Sequence, residues 1–193
     1  MEKLTLAVVF AAFALPVAAE NDFSIELLGG SANQESSIED FSTEGDDISI
    51  GIRGAYRFHK NIAVELAYQD YGETDETVED QGVTVNDKVS SSAFNLGVKG
   101  ILPFDNGLSL HARAGLAIWD VEIKETYPDF PDTIFKADDN GNDLYLGLGL
   151  QYDITEQFVI GAEYTYTEMD VSLYGVPLDH EVANLAVSLG YRF

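Results

Sequence analysis

Apolar side chains alternate with small or polar ones over eight stretches of this chain. Ile62, Val64, Leu66 and Tyr68 alternate with Ala63, Glu65, Ala67 and Gln69, and Leu144, Leu146, Leu148 and Leu150 with Gly147, Gly149 and Gln151. Similar runs start at Phe23, Ile48, Phe94, Leu108 and Phe158. The last run is Leu185-Ala186-Val187-Ser188-Leu189-Gly190-Tyr191-Arg192-Phe193. Period-two alternation held this long predicts β-strands. Runs of roughly ten residues match a tilted strand crossing a bilayer.

The connections alternate in length. Phe58-His59-Lys60-Asn61, Pro103-Phe104-Asp105-Asn106-Gly107 and Asp153-Ile154-Thr155-Glu156-Gln157 read as tight turns. The other four connections, about 31–46, 72–89, 122–142 and 169–180, are long and polar. The pattern predicts an all-β fold: an eight-stranded antiparallel up-and-down transmembrane β-barrel with short periplasmic turns and four long extracellular loops. An even strand number puts both ends of the barrel on the periplasmic rim, and closure leaves no unpaired edge facing lipid.

A soluble lipocalin-like barrel also has eight strands, with the apolar face inward. Here the apolar face carries bulky residues while the other face is crowded with Gly, Ala and Ser. Aromatics also cluster near the ends of the apolar face: Phe23, Tyr56, Tyr68, Phe94, Tyr152, Phe158, Tyr166, Tyr191 and Phe193. They read as two interfacial girdles, which favours lipid.

The N-terminus reads as an export signal. Lys3 precedes an apolar run over 4–17, and Val17-Ala18-Ala19 offers small residues for cleavage before Glu20. Residues 1–19 are therefore the expected signal peptide and 20–193 the barrel domain. The chain contains no Cys, which excludes disulfides and thiolate metal sites.

Several segments resemble the OmpA-like transmembrane domain of Gram-negative outer membranes. They are Val64-Glu65-Leu66-Ala67-Tyr68 with Tyr71-Gly72, Lys99-Gly100-Ile101-Leu102-Pro103 leading into Leu108-Ser109-Leu110-His111-Ala112-Arg113-Ala114-Gly115, and Gln151-Tyr152-Asp153-Ile154-Thr155 before Glu163-Tyr164. Leu189-Gly190-Tyr191-Arg192-Phe193 completes the match, and Trp119 sits where the family often has Trp. The resemblance implies the same barrel. It also implies that the barrel-assembly machinery reads the terminal aromatics Tyr191 and Phe193. Larger relatives continue into a peptidoglycan-gripping domain, for which this chain is expected to have no residues. The family places an inward Arg at the position of Gly161 and an acid at that of Gln151. Neither is present, so the family's proposed gating pair does not carry over residue for residue.

The inward face carries Glu26, Arg53, Glu65, Lys99, Arg113 and Glu163, three acids and three bases that fall in one layer of the lumen. Arg57 and Arg192 lie nearer the periplasmic mouth. Unpaired buried charge is expensive, so the balance predicts a paired network across a lumen barely wide enough for side chains. Lys99 is expected to face Glu65 across a neighbouring strand, which makes that pair the candidate gate. The layer is neutral although the chain carries a formal charge of −24. The excess acid sits in the long connections: Glu73, Asp75, Glu76, Glu79 and Asp80 in one, Asp129, Asp132, Asp138, Asp139 and Asp143 in another. This argues against nucleic acid or anionic surfaces as partners in the absence of bridging cations. Loose divalent-cation binding at these loops, bridging to lipopolysaccharide phosphates, is compatible with it. Asp138-Asp139-Asn140-Gly141-Asn142-Asp143 imitates a calcium loop only partly and reads as a polar turn.

No enzyme is expected. His59 falls in a turn and His111 points inward beside Arg113. His180 is expected at the outer rim beside Asp179 and Glu181, with no Ser following at the strand spacing of lipid A deacylases. The sequence predicts a structural outer-membrane barrel, its lumen plugged by the charged network, with at most a narrow low-conductance ion path. The alternative is an adhesin or host- or phage-contact protein acting through its acidic loops. Expected partners are outer-membrane lipid and lipopolysaccharide, the barrel-assembly machinery, periplasmic chaperones and divalent cations at the loops, with no cofactor and no dedicated metal site.

Overall fold

The computed structural model describes residues 23–38, 41–80, 83–126, 134–173 and 176–193. The expected signal peptide at 1–19 lies outside them. The strands are β1 (Phe23–Ile38), β2 (Phe41–His59), β3 (Ile62–Asp80), β4 (Val83–Pro103), β5 (Leu108–Thr126), β6 (Ile134–Asp153), β7 (Phe158–Leu173) and β8 (Val176–Arg192). Each is antiparallel to its sequence neighbour, and β1 pairs with β8 from Ser24↔Arg192 to Ser37↔Asp179, so the sheet closes into a barrel.

The tight turns sit where Asn, Gly and Thr supply local hydrogen bonds. Gly107 has φ of 81°, a conformation that favours glycine, and the turn it ends is held by Phe104 N–H donating to the Leu108 carbonyl at 2.8 Å. Thr155 Oγ1 accepts from Phe158 N–H at 2.9 Å in the turn before β7.

At the opposite end the long connections differ from the expectation of loops. Pairing runs to Ile38↔Phe41, Asp80↔Val83, Thr126↔Ile134 and Leu173↔Val176. The segment 138–143 is part of β6, not a turn. The reason is a change of phase in the alternation. In β5 the outward positions Leu110, Leu116 and Ile118 are exposed to the lipid side, and the next outward positions are Asp120, Glu122 and Lys124. Inward, His111 and Arg113 give way to Ala117, Trp119 and Val121, all buried. Likewise β7 turns from Glu163 and Thr167 inside to Met169 and Val171 inside. The strands keep period two, but the apolar face swaps sides where they leave the bilayer.

Two of the seams stop early among the described residues. The β2–β3 ladder ends at Ile50↔Asp70 and the β6–β7 ladder at Tyr145↔Thr167. Above these points the barrel divides into two four-stranded leaves, β3-β4-β5-β6 and β7-β8-β1-β2. The leaves pack face to face around Tyr71, Trp119, Val121, Met169, Val171 and Leu178. Aspartates bridge the open seams by accepting backbone N–H groups. Asp47 Oδ2 accepts from Glu73 at 2.7 Å, Asp143 Oδ2 from Asp170 at 3.3 Å and Asp139 Oδ2 from Ser172 at 2.7 Å. The bridges satisfy edge groups that would otherwise offer themselves to another strand.

Below the seams, the outer face is a continuous apolar belt. Leu66, Leu96, Leu116 and Leu144 stand opposite one another in register across four strands, each 44–72% exposed. An apolar patch of this extent on a closed barrel requires lipid.

Candidate functional site: the charged layer of the lumen

All six charged residues read from the sequence project into the barrel and are buried. Small inward residues make room for them. A Cβ at Gly97 or Gly115, adjacent on β4 and β5, would collide with the Tyr145 ring that lies across them.

Two arginines interlock with three glutamates. Arg53 Nη1 donates to Glu26 Oε2 and Glu163 Oε2, each at 2.9 Å, and Arg53 Nη2 also bonds Glu163. Arg113 Nε lies 2.9 Å from Glu65 Oε1, and its Nη1 donates to Glu163 Oε2 at 2.6 Å. Arg113 Nη1 also donates to His111 Nε2 at 2.7 Å; a guanidinium accepts nothing, so the imidazole nitrogen is the acceptor. Tyr145 Oη donates to Glu65 Oε1 at 3.2 Å.

Lys99 corrects one expectation. It does not meet Glu65. Its Nζ donates to Gln151 Oε1 at 2.8 Å and lies 3.7 Å from Glu26 Oε1. The register explains this: Lys99 stands opposite Ala63 on β3, one inward step nearer the periplasm than Glu65. It therefore forms the floor of the cluster, above a cavity of about 20 Å³ that opens toward the periplasmic mouth, where Arg57 and Arg192 also line the wall. Arg192 Nη2 donates to Asp153 at 2.7 Å.

Above the charged layer the apolar core forms a second closure that the sequence reading missed. The available signal was the opposite-phase pattern Ala117-x-Trp119-x-Val121 and Met169-x-Val171. Polar braces cross it: Ser91 Oγ donates to Gln34 Oε1 at 2.6 Å, Gln34 Nε2 donates to the Tyr71 carbonyl at 3.1 Å, and Trp119 Nε1 donates to Asp143 Oδ2 at 2.7 Å. His180 is the second correction. It is fully buried inside this core rather than at the rim, with Nδ1 2.9 Å from Ser36 Oγ on the neighbouring strand. Desolvation pushes its imidazole down to about 4.

On the outer wall of the same region, Lys88 pairs with Glu73 at 2.6 Å and Lys124 with Glu122 at 2.7 Å. The hydrogen bond from Lys124 holds the Glu122 carboxyl below the usual carboxylate range. Among the described residues no acidic or histidine cluster is arranged to hold a metal ion. Asp129 and Asp132 lie outside the described residues, and the side chains of Asp75, Glu76, Glu79 and Asp80 are likewise not described. At the periplasmic rim, Tyr191 and Phe193 stack edge-on at 4.9 Å and Phe193 packs on Phe23 at 5.8 Å.

A closed antiparallel barrel with an apolar outer belt and a charged lumen is matched by the family model "Outer membrane protein beta-barrel domain" over residues 5–193. The chain belongs to this family. It is an outer-membrane β-barrel. No curated protein sequence matches it. Similar solved structures include OprG of Pseudomonas aeruginosa (TM-score 0.59, 12% identity, 91% of this chain and 98% of that one). Neisserial surface protein A is similar at TM-score 0.57 and 12% identity, over 89% of this chain and 97% of that one. Ail, the attachment invasion locus protein of Yersinia pestis, gives TM-score 0.54 and 17% identity over 89% and 99%. At these identities the likeness concerns the fold.

Proposed function

We propose that this protein is a structural outer-membrane barrel whose lumen is shut at two levels, by the ion-paired layer and by the apolar core above it. The observation that carries this reading is the pair of arginines shared among three glutamates, all at most 5% exposed at the side chain. Opening a water path there means separating pairs that are bonded from several strands at once, and exposing Trp119 and Met169 as well. Catalysis is not part of this reading: the buried His180 imidazole is paired with the half-buried Ser36 hydroxyl of the neighbouring strand. Planar-bilayer recording tests the proposal. The expected trace shows no steady current, with rare small openings at most; sustained conductance in the unmodified protein would overturn it.

The second reading is a contact protein acting through the extracellular leaves. What favours it is that the strands continue well past the lipid belt as a packed, charged structure. Ail has been solved with a heparin analogue, but the acidic outer segments of this chain disfavour a polyanion, so whole-cell binding is the first probe. Deleting the β5–β6 tip should abolish cell binding and leave the barrel intact if this reading holds.

Lipopolysaccharide contact, passage by periplasmic chaperones and divalent cations at the acidic tips belong to the same proposal. So does removal of residues 1–19, for which the mass of the mature protein is the test. Tyr191 and Phe193 are proposed as the assembly signal because both are exposed or half-exposed at the periplasmic rim. Phe193→Ser should leave export intact and strand the protein in the periplasm; normal outer-membrane levels would defeat that.

A further inference from the structure

We propose that the extracellular half is an acid-opened clamp: the two leaves part about the ends of the interrupted seams, with His180 as the trigger, while the arginine–glutamate layer beneath stays shut. The inference rests on the reading of two closures and adds a way to open one of them. The ladders define the hinge. β2 and β3 part above Ile50↔Asp70, and β6 and β7 above Tyr145↔Thr167. Within each leaf, pairing continues to the tips. Above those two points the leaves are joined by Asp47, Asp139 and Asp143 on backbone N–H groups and by the apolar packing between them. Leaves joined by side chains alone can separate without breaking either sheet.

His180 is fully buried in that packing, in register with Ser36 on β1 and Met169 on β7. Its Nδ1 lies 2.9 Å from Ser36 Oγ, and its Nε2 has no hydrogen-bond partner among the described residues. Protonation makes both ring nitrogens donors. The closed clamp would then hold a charge whose Nε2–H meets no acceptor, which is costly in an apolar core. No carboxylate is placed to receive it. The acids beside it on β8, β1 and β7, which are Asp179, Glu181, Glu35, Glu168 and Asp170, take the outward parity. Among the described side chains, the inward titratable groups of the other upper strands are Asp47 on β2, Tyr71 on β3, and Asp139, Asp143 and Tyr145 on β6. The three aspartates are engaged at the seams, and desolvation is the only influence acting on the ring. Opening returns the imidazole to water and to its ordinary 6.5, against about 4 when closed. The open-to-closed ratio therefore rises about tenfold per pH unit below 6.5 until pH nears 4. Asp47 is held below the usual carboxylate range by the N–H groups of Glu73 and Ile48, so its latch stays charged in that window.

Trp119 reports the opening. It is the chain's one Trp, it is buried between the leaves, and its indole N–H is bonded to Asp143. Exchange of that proton is followed by NMR in the full chain refolded into lipid, and corrected for the intrinsic pH dependence of free indole. Between pH 7 and pH 4.5 its protection should fall about fiftyfold, the ratio that the open and closed values of His180 require. His180→Gln cannot take up the proton and should hold that protection within about twofold. An unchanged indole signal in the wild type overturns the proposal, and so does the same loss in His180→Gln. If that variant does not refold, the β4–β5 amides beside Arg113 decide within the wild type. They must keep their protection across the window, and a parallel loss in both halves overturns the clamp. Sustained conductance at neutral pH would defeat the two closures themselves, whereas an indole proton indifferent to pH defeats the clamp alone.

Discussion

The half of the barrel inside the membrane and the half outside it are built on opposite plans. In the lower half leucines face out and ions face in: Leu96 is 55% exposed while Arg113 is 3% exposed. In the upper half lysines and glutamates face out while Trp119 and Met169 are buried. The backbone runs through both without interruption, and the side-chain period is the same. What differs is the solvent around each half. Lipid accepts apolar side chains and forces charge into the lumen, where only a mutually neutralising set is tolerable. Water permits the ordinary arrangement, and two leaves then pack as a β-sandwich does. The lower half is held by geometry-dependent ion pairs and the upper half by packing, so they should fail in different ways.

The largest effect is expected from Arg113→Ala. It leaves Glu65 without its close partner and takes one of two arginines from Glu163, and breaking a buried pair in this way costs about 3–5 kcal/mol. Urea unfolding in vesicles measures it, and a loss within error of a surface substitution would show that water screens the layer. Met169→Ala in the upper half should cost about 2–5 kcal/mol through the cavity it leaves. Unlike Arg113→Ala, it should loosen the extracellular leaves first, read by hydrogen exchange in β7 and β8. Equal deprotection of both halves would mean that they unfold as one unit.

Acid should separate the halves further. His180 is held neutral in the core with a folded value of about 4, against an ordinary 6.5. Between those values the unfolded chain binds the proton and the folded chain does not. Its contribution is therefore complete above the ordinary value and is lost as pH falls from 6.5 toward 4, by about 3 kcal/mol. His180→Gln should flatten the stability profile over that window; an unchanged slope would assign the acid sensitivity to other groups. The smallest effect is expected at the outer wall. Lys88→Ala removes a pair whose members are 43% and 36% exposed, an interaction worth about 0–1 kcal/mol and further weakened by salt.

The lower half was legible in the sequence because an outward Ile, Val, Leu or Tyr stands at every second position of 62–68 and 144–152, while the other face is filled with small residues that a lipocalin-like interior would not use. The inward charges followed from the same parity. Their partners did not, since pairing depends on stagger between strands, and one inward step separates Lys99 from Glu65. The upper half was misread as loops because its polar residues are the outward set. Judged by the parity of the lower half, Glu122 and Lys124 look like a break in the strand. The buried set, Ala117, Trp119 and Val121, had already moved to the other parity. His180 was placed at the rim for the same reason, by its acidic sequence neighbours rather than by its facing partners Ser36 and Met169.

The seam between β1 and β8 has a kinetic consequence. It joins the first strand of the barrel to the last, and the Phe193 N–H donates to the Phe23 carbonyl at 2.9 Å. Every other seam joins strands adjacent in the chain and can zip locally as hairpins form. This one waits until the eighth strand has arrived. Such long-range pairing is slow. Until it forms, β1 and β8 each present an unpaired edge beside a leucine-rich outer face, the combination most prone to intermolecular association. The interval between emergence of β1 and arrival of β8 is therefore the period in which the chain most needs shielding.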